Sequence, residues 1–211
     1  MPNKLIDGYQ RFRNSYYLDN KNSLAKLAAG QAPSVAILAC CDARVDPMII
    51  FDANPGELFV IRNVANLVPP MESAGVYHGT SAALEFALTV LKVKDLVILG
   101  HADCGGIKAL LESPINGNGV NASYIDNWMG LARSVKDQVL AATVNQDLLT
   151  QCMLCEREAI ILSLGNLMTY PWIAELVNKQ QLQLHGWHYD LQHSILSRYD
   201  FGLKKFVLLE N

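Results

Sequence analysis

No run in this 211-residue chain is apolar for long enough to cross a bilayer as a helix. Its opening, Met1-Pro2-Asn3-Lys4-Leu5-Ile6-Asp7-Gly8, lacks the apolar core of a secretory signal. The expected setting is therefore cytoplasmic and reducing, with no membrane partner. Basic blocks are missing too. With a net charge of -3, nothing in the sequence makes an electrostatic case for nucleic acid. There is no internal repeat, no low-complexity tract, and neither the dinucleotide fingerprint nor the Walker spacing. Cysteine is sparse and odd in number: Cys40, Cys41, Cys104, Cys152 and Cys155. An odd count without a secretory leader argues against a disulfide framework and for thiol or metal chemistry.

Two short stretches stand out. Cys40-Cys41-Asp42-Ala43-Arg44 follows the apolar run from Ser34 to Ala39, and His101-Ala102-Asp103-Cys104-Gly105-Gly106 follows Asp95 to Gly100. Both runs read as buried strands. Parallel neighbours would bring both loops to one edge of the sheet, where open α/β sheets place their chemistry. A lone buried cysteine is usually a small hydrophobe. Thiols and an imidazole gathered at one edge are instead the ligands zinc prefers, and three ligands with a fourth position open make a catalytic site.

Around these loops the pattern is mixed α/β. Leu5 to about Ala29 reads as a helical arm rich in aromatics, able to pack on its own chain or across a second subunit. Pro47 opens a short helix, and Glu57 to Ile61 is a second strand running into a polar loop from Arg62 to Asn66. Arg62 and Asn63 either make loop hydrogen bonds or buttress or line the same site. A helix is expected from about Tyr77 to Leu91 with Ala82, Ala83, Phe86, Ala87 and Val90 on one face. Gly105-Gly106 permits close backbone approach and opens a helix whose amide end would favour an anion. Ser113 to Ser123 reads as a loop, and Tyr124 to Ala142 and Asp147 to Met168 as helices. Cys152 and Cys155 sit three apart in the last of these and read as packed thiols rather than a redox pair. Pro171 opens another helix, Gln181 to Tyr189 is a strand with His185 and His188 on opposite faces, and Lys205 to Leu209 is an edge strand.

The chain resembles the β-class carbonic anhydrases over nearly its whole length. The marks are Cys40-x-Asp42-x-Arg44, the run from Pro55 to Asn66, and Gly100-His101-x-x-Cys104-Gly105-Gly106. The runs Cys155-Glu156-Arg157-Glu158-Ala159, Ser163 to Leu167 and Tyr170-Pro171-Trp172 are also similar to that family. Ala43 stands where a serine is common. The resemblance implies a mostly parallel central sheet flanked by helices. A helical arm over residues 1–30 would precede an α/β domain over residues 31–211, with an edge strand near the end. It implies zinc on Cys40, His101 and Cys104, with Asp42 and Arg44 as the catalytic pair. It implies Gln31, Phe59, Val64, Phe86 and Gly105 about the substrate, carbon dioxide or bicarbonate. It also implies a homodimer or a multiple of dimers, with the site at the subunit boundary. Phe86 stands where plant-type relatives often carry Tyr. Ile37 stands where the subgroup with a regulatory bicarbonate site carries Trp, although Arg62 and Tyr189 match that subgroup's other two positions. The plant-like subgroup is the expectation.

The expected reaction is reversible hydration of carbon dioxide, a zinc-bound hydroxide attacking CO2 while the Asp42–Arg44 pair orients it. Two thiolates leave the centre formally neutral, so activity is expected to climb from neutral to alkaline pH. Two rival readings remain at this point. One is a hydrolase for carbonyl sulfide or carbon disulfide on the same metal. The other is a closed site in which Asp42 is a fourth ligand, giving a structural metal or a bicarbonate sensor.

Overall fold

The computed structural model describes residues 2–72, 78–112 and 123–209. Its centre is a six-stranded sheet in the order β2-β1-β3-β4-β5-β6. The strands are β1 (Val35–Cys40), β2 (Leu58–Asn63), β3 (Asp95–His101), β4 (Gln183–Asp190), β5 (Ile195–Asp200) and β6 (Lys205–Leu208). β2, β1, β3 and β4 run parallel, and β5 and β6 close the sheet as an antiparallel pair. Apolar residues on both faces of β1 and β3 are buried, as strands covered on two sides require. Ala36, Leu38, Leu96 and Ile98 face one core, and Ile37, Ala39, Val97 and Leu99 the other.

The first core is capped by the long helix α9 (Leu148–Leu167), whose start is fixed by the Asp147 carboxylate accepting from the Thr150 amide at 2.7 Å. This helix lies unusually close to the sheet. A Cβ on Gly186 would come within 2.8 Å of Ile160 Cγ2 and of Leu164 Cδ1, and one on Gly100 within 2.7 Å of Ile160 Cδ1. Two glycines on adjacent strands therefore make the seat into which Ile160 drops.

The remaining helices are α1 (Pro2–Asn14), α2 (Tyr16–Asp19), α3 (Lys21–Ala28), α4 (Pro47–Ile50), α5 (Gly79–Glu85), α6 (Gly105–Glu112), α7 (Tyr124–Met129), α8 (Arg133–Ala142) and α10 (Pro171–Asn178). The N-terminal arm is thus three short helices, and its Leu5, Tyr9, Phe12 and Leu18 are exposed. No single helix among the described residues is long and apolar enough to cross a membrane.

Several expectations change. Strand β5 was not read from the sequence at all. β2 continues through Arg62 and Asn63, because both pair with β1 as far as Cys40. Helix α5 runs into a wider π turn at Phe86–Val90 and buries Leu84, Ala87 and Leu88, whereas Ala82, Phe86 and Val90 face outward. The helix expected from Tyr124 to Ala142 is broken by a tight turn at Gly130–Ala132. The expected start at Tyr77 and the loop from Ser113 to Ala122 lie outside the described residues. His185 and His188 do lie apart, one bonded to Asp95 and the other to Glu156.

Candidate active site

β1 ends on Cys40 and β3 ends on His101, so the parallel register delivers both side chains to the same sheet edge. The ladder runs one step past each strand. The Cys41 amide bonds the Asn63 carbonyl at 2.8 Å and the Ala102 amide bonds the Tyr189 carbonyl at 2.9 Å. Asp103 then takes a left-handed conformation, φ 57°, which aspartate tolerates better than most residues. That turn reverses the chain and sets Cys104 directly before α6.

Cys40, His101 and Cys104 are all buried, and one ligand atom from each lies within 4.8 Å of the others. The two sulfurs are 4.0 Å apart. The Cys104 thiol beside it pulls Cys40 well below the ordinary thiol range, helped by the amides of Asp42 and Ala65. The same sharing with Cys40, with burial, pushes Cys104 up, even though the first-turn amides of Gly106 and Ile107 favour its thiolate. Two sulfurs this close hold one proton between them unless a cation neutralises both.

The histidine points the same way. Its Nδ1 is 2.8 Å from the Ala102 carbonyl, which only accepts, so Nδ1 carries the proton. The lone pair is thereby left on Nε2, which is buried and has no hydrogen-bond partner. An orphaned imidazole nitrogen facing two thiols is a donor set with the chemistry a zinc ion takes, and the carbonyl that fixes the tautomer is the usual outer partner of a ligating histidine.

Asp42 and Arg44 stand at the rim. The Arg44 backbone amide and Nε both donate to Asp42 Oδ1 at 2.9 Å, and Nη2 donates to Oδ2 at 2.7 Å. This contact holds the Asp42 carboxyl well below the usual range. Oδ2 remains 4.0 Å from His101 Nε2. Arg44 Nη2 also donates to the Asp103 carbonyl at 2.9 Å, tying the first loop to the second.

Arg62 buttresses the segment from Cys40 to Val45, and Asn63 makes hydrogen bonds within its own loop. Arg62 donates to the carbonyls of Cys40, Asp42 and Val45. Asn63 exchanges bonds with both backbone groups of Leu67 and reaches Thr80. Close approach belongs to Gly106, where a Cβ would meet Val64 Cγ1 at 2.9 Å; one on Gly105 would meet nothing within 4 Å. Val64 lines a cavity of about 790 Å³ together with Cys41, Asn63, His78 and Trp128. The Trp128 indole donates to the Val64 carbonyl at 2.8 Å, a wall contact that nothing in the sequence announced.

Gln31, Phe59 and Phe86 lie elsewhere in the chain. Gln31 is exposed ahead of β1, at the end opposite Cys40. Phe59 pairs with Ala36, four residues before the site end of β2, about 13 Å away at the rise of an extended strand. Its ring lies tilted against that of Phe86, with centroids 6.0 Å apart. A buried carboxylate, Glu156 on α9, does reach the site, accepting the Cys104 amide at 3.0 Å. Sequence reading placed it only in a similar run and gave it no role.

Comparison with known proteins converges on one family. A family model described as carbonic anhydrase matches residues 35–196. Beta carbonic anhydrase 3 of Arabidopsis thaliana is 34% identical over 201 residues, covering 95% of this chain and 78% of the relative. The chloroplastic beta carbonic anhydrase 5 of the same plant is 39% identical over 179 residues, covering 85% and 58%. The solved β-carbonic anhydrase CcaA superposes with a TM-score of 0.91 at 32% identity, over 99% of this chain and 92% of that one. A tetrameric β-carbonic anhydrase of Sordaria macrospora gives 0.79 at 25%, over 99% and 96%.

Proposed function

The chain belongs to the carbonic anhydrase family, in its β class, and from that premise we propose that it is a zinc-dependent catalyst of the reversible hydration of carbon dioxide to bicarbonate and a proton. The observation that carries the reading is the convergence of the Cys40 and Cys104 sulfurs on an unpartnered His101 Nε2. Those three residues would hold the ion. When bound, zinc would supply Lewis acidity that makes water a better nucleophile, less strongly than with three imidazoles because two thiolates neutralise its charge.

The protein's own groups do the rest. Asp42 presents Oδ2 toward the cluster as a hydrogen-bond acceptor for the attacking water, fixing the direction of its lone pair. Arg44 keeps that carboxylate ionised by the two-point contact and fixed against rotation. The same contact engages both oxygens of Asp42, which favours three protein donors and an open fourth position over a closed site. Val64, held by Trp128, offers an apolar wall suited to an uncharged substrate. The open space at Gly105, beside the first-turn amides of α6, suits the anionic product. Neither Asp42 nor Arg44 titrates near neutrality, so the released proton passes to buffer.

The working unit in this reading is a homodimer or a multiple of dimers. Gln31, Phe59 and Phe86 reach a metal group only from a second copy. The outward stripe Ala82, Phe86 and Val90 is the apolar surface such a contact would cover. Elemental analysis tests the ligand set: the wild type should carry one zinc per chain, and Cys40→Ser, His101→Ala and Cys104→Ser should carry almost none. Full zinc in those variants would overturn the assignment.

A further inference from the structure

Behind the metal group lies a buried polar pair that neither binds the ion nor faces the cavity. Glu156 is 3% exposed and His188 4% exposed. Burying a carboxylate this completely is costly unless each oxygen finds a partner. Both do. Oε1 accepts the Cys104 backbone N–H at 3.0 Å, and Oε2 is 3.1 Å from His188 Nε2, whose proton it accepts. The Phe206 ring from β6 stands edge-on to His188 with centroids 6.4 Å apart, and the Arg157 guanidinium lies over the same ring at 5.7 Å. The antiparallel edge of the sheet thus closes the back of the pair.

The peptide linking Asp103 to Cys104 is held from both ends. Its carbonyl accepts from Arg44 Nη2 at 2.9 Å, and its N–H donates to Glu156. The two groups of a trans peptide point in opposite directions, so one bond comes from the exposed rim and the other from the interior. This peptide follows the left-handed Asp103, a conformation that needs outside support. Turning it would displace the Cys104 sulfur and, through the same carbonyl, release Arg44 from one of its anchors.

We propose that Glu156, steadied by His188, is a positioning residue that clamps the Asp103–Cys104 peptide and so fixes both a metal-holding sulfur and the arginine that orients Asp42. The proposal rests on Cys40, His101 and Cys104 being the zinc group. The seat formed by Gly100 and Gly186 serves it, because it lowers α9 onto the sheet at Ile160, one turn beyond Glu156. Outer partners of metal ligands commonly change affinity 10–100-fold when removed.

The test measures zinc affinity by competition with a chromophoric chelator, alongside the cobalt-substituted absorption spectrum and the melting temperature of the metal-free protein. Glu156→Ala should bind zinc at least about tenfold more weakly and shift the sulfur-to-cobalt band. Glu156→Gln, which still accepts the Cys104 amide, should stay within about threefold of wild type. Leu167→Ala, buried in the core at the far end of the same helix, should lower the melting temperature and leave affinity unchanged. Equal affinity losses in Glu156→Ala and Leu167→Ala, or no rescue by Glu156→Gln, would overturn the clamp. If Glu156→Ala does not fold, His188→Ala decides: an unchanged affinity and cobalt spectrum would overturn the proposal, and a loss of several-fold would support it. A wild-type chain that binds no zinc would instead remove the reading beneath it.

Discussion

Arg44 grips both oxygens of the Asp42 carboxylate, Nε to Oδ1 at 2.9 Å and Nη2 to Oδ2 at 2.7 Å. The grip fixes the acid at the rim of the Cys40–His101–Cys104 group, with Oδ2 4.0 Å from His101 Nε2. Five guanidinium donors in a fixed fork suit this contact, and a lysine in place of Arg44 would not reproduce it.

Asp42→Asn tests the carboxylate without changing its size. The amide cannot accept from the arginine at both ends, and it offers the attacking water a poorer acceptor. We expect zinc content to stay at the wild-type level and kcat/KM for hydration to fall by about 10²-fold, the scale of a lost oriented acceptor. Stopped-flow hydration on metal-quantified samples measures both, and a rate equal to wild type would remove Asp42 from the chemistry.

Arg44→Ala tests what keeps that acid ionised. Asp42 is depressed in the folded protein, chiefly by the Arg44 side chain. A depressed acid contributes stability above its ordinary titration range, near pH 4, and loses it only as pH falls through its own lower value. Removing Arg44 should raise the Asp42 titration toward the ordinary range, so the variant lacks this contribution at neutral pH as well and its stability responds less to acid. Carboxyl-carbon NMR across the acid range follows the shift; an unmoved titration would mean that another group holds Asp42.

Much of this was legible in the residues. The two key loops announced themselves because each follows an apolar run too continuous for a surface strand, and a parallel pairing then has only one edge to offer. β5 was not legible. Ile195, Leu196 and Tyr199 alternate with polar residues too loosely to stand out, and only pairing with β4 and β6 makes the segment a strand. The face of α5 was misread because Ala82, Phe86 and Val90 make a helical stripe as apolar as the one that is buried. Glu156 was invisible as a site residue because a glutamate in a helix is normally a solvated one. Only the approach of α9 to the sheet turns it inward.

Gly186→Ala tests that approach. The added methyl meets Ile160 Cγ2 and Leu164 Cδ1 at 2.8 Å, and the β-branched Ile160 has little room to swing away. Overpacking of this kind costs about 1–3 kcal/mol. The melting temperature of the metal-free protein should drop accordingly, and an unchanged value would show that α9 is not held so close.

Phe86→Glu tests the assembly. Phe86 is 41% exposed on the single chain and packs against Phe59 at a distance from the chain's own metal group. A charge there should shift sedimentation toward monomer and abolish most hydration, while each chain keeps its zinc. A dimeric, fully active variant would show that the stripe is not the contact.

The most direct test is stopped-flow hydration of carbon dioxide by one preparation in three states: as zinc-loaded protein, after chelation, and after zinc is restored. We expect saturable hydration that disappears with the metal and returns with it. It should climb from neutral to alkaline pH, because two thiolates cancel the charge that would otherwise acidify the nucleophilic water. Stoichiometric zinc with no hydration above the uncatalysed rate, at any pH in that range, would contradict the proposed catalysis outright.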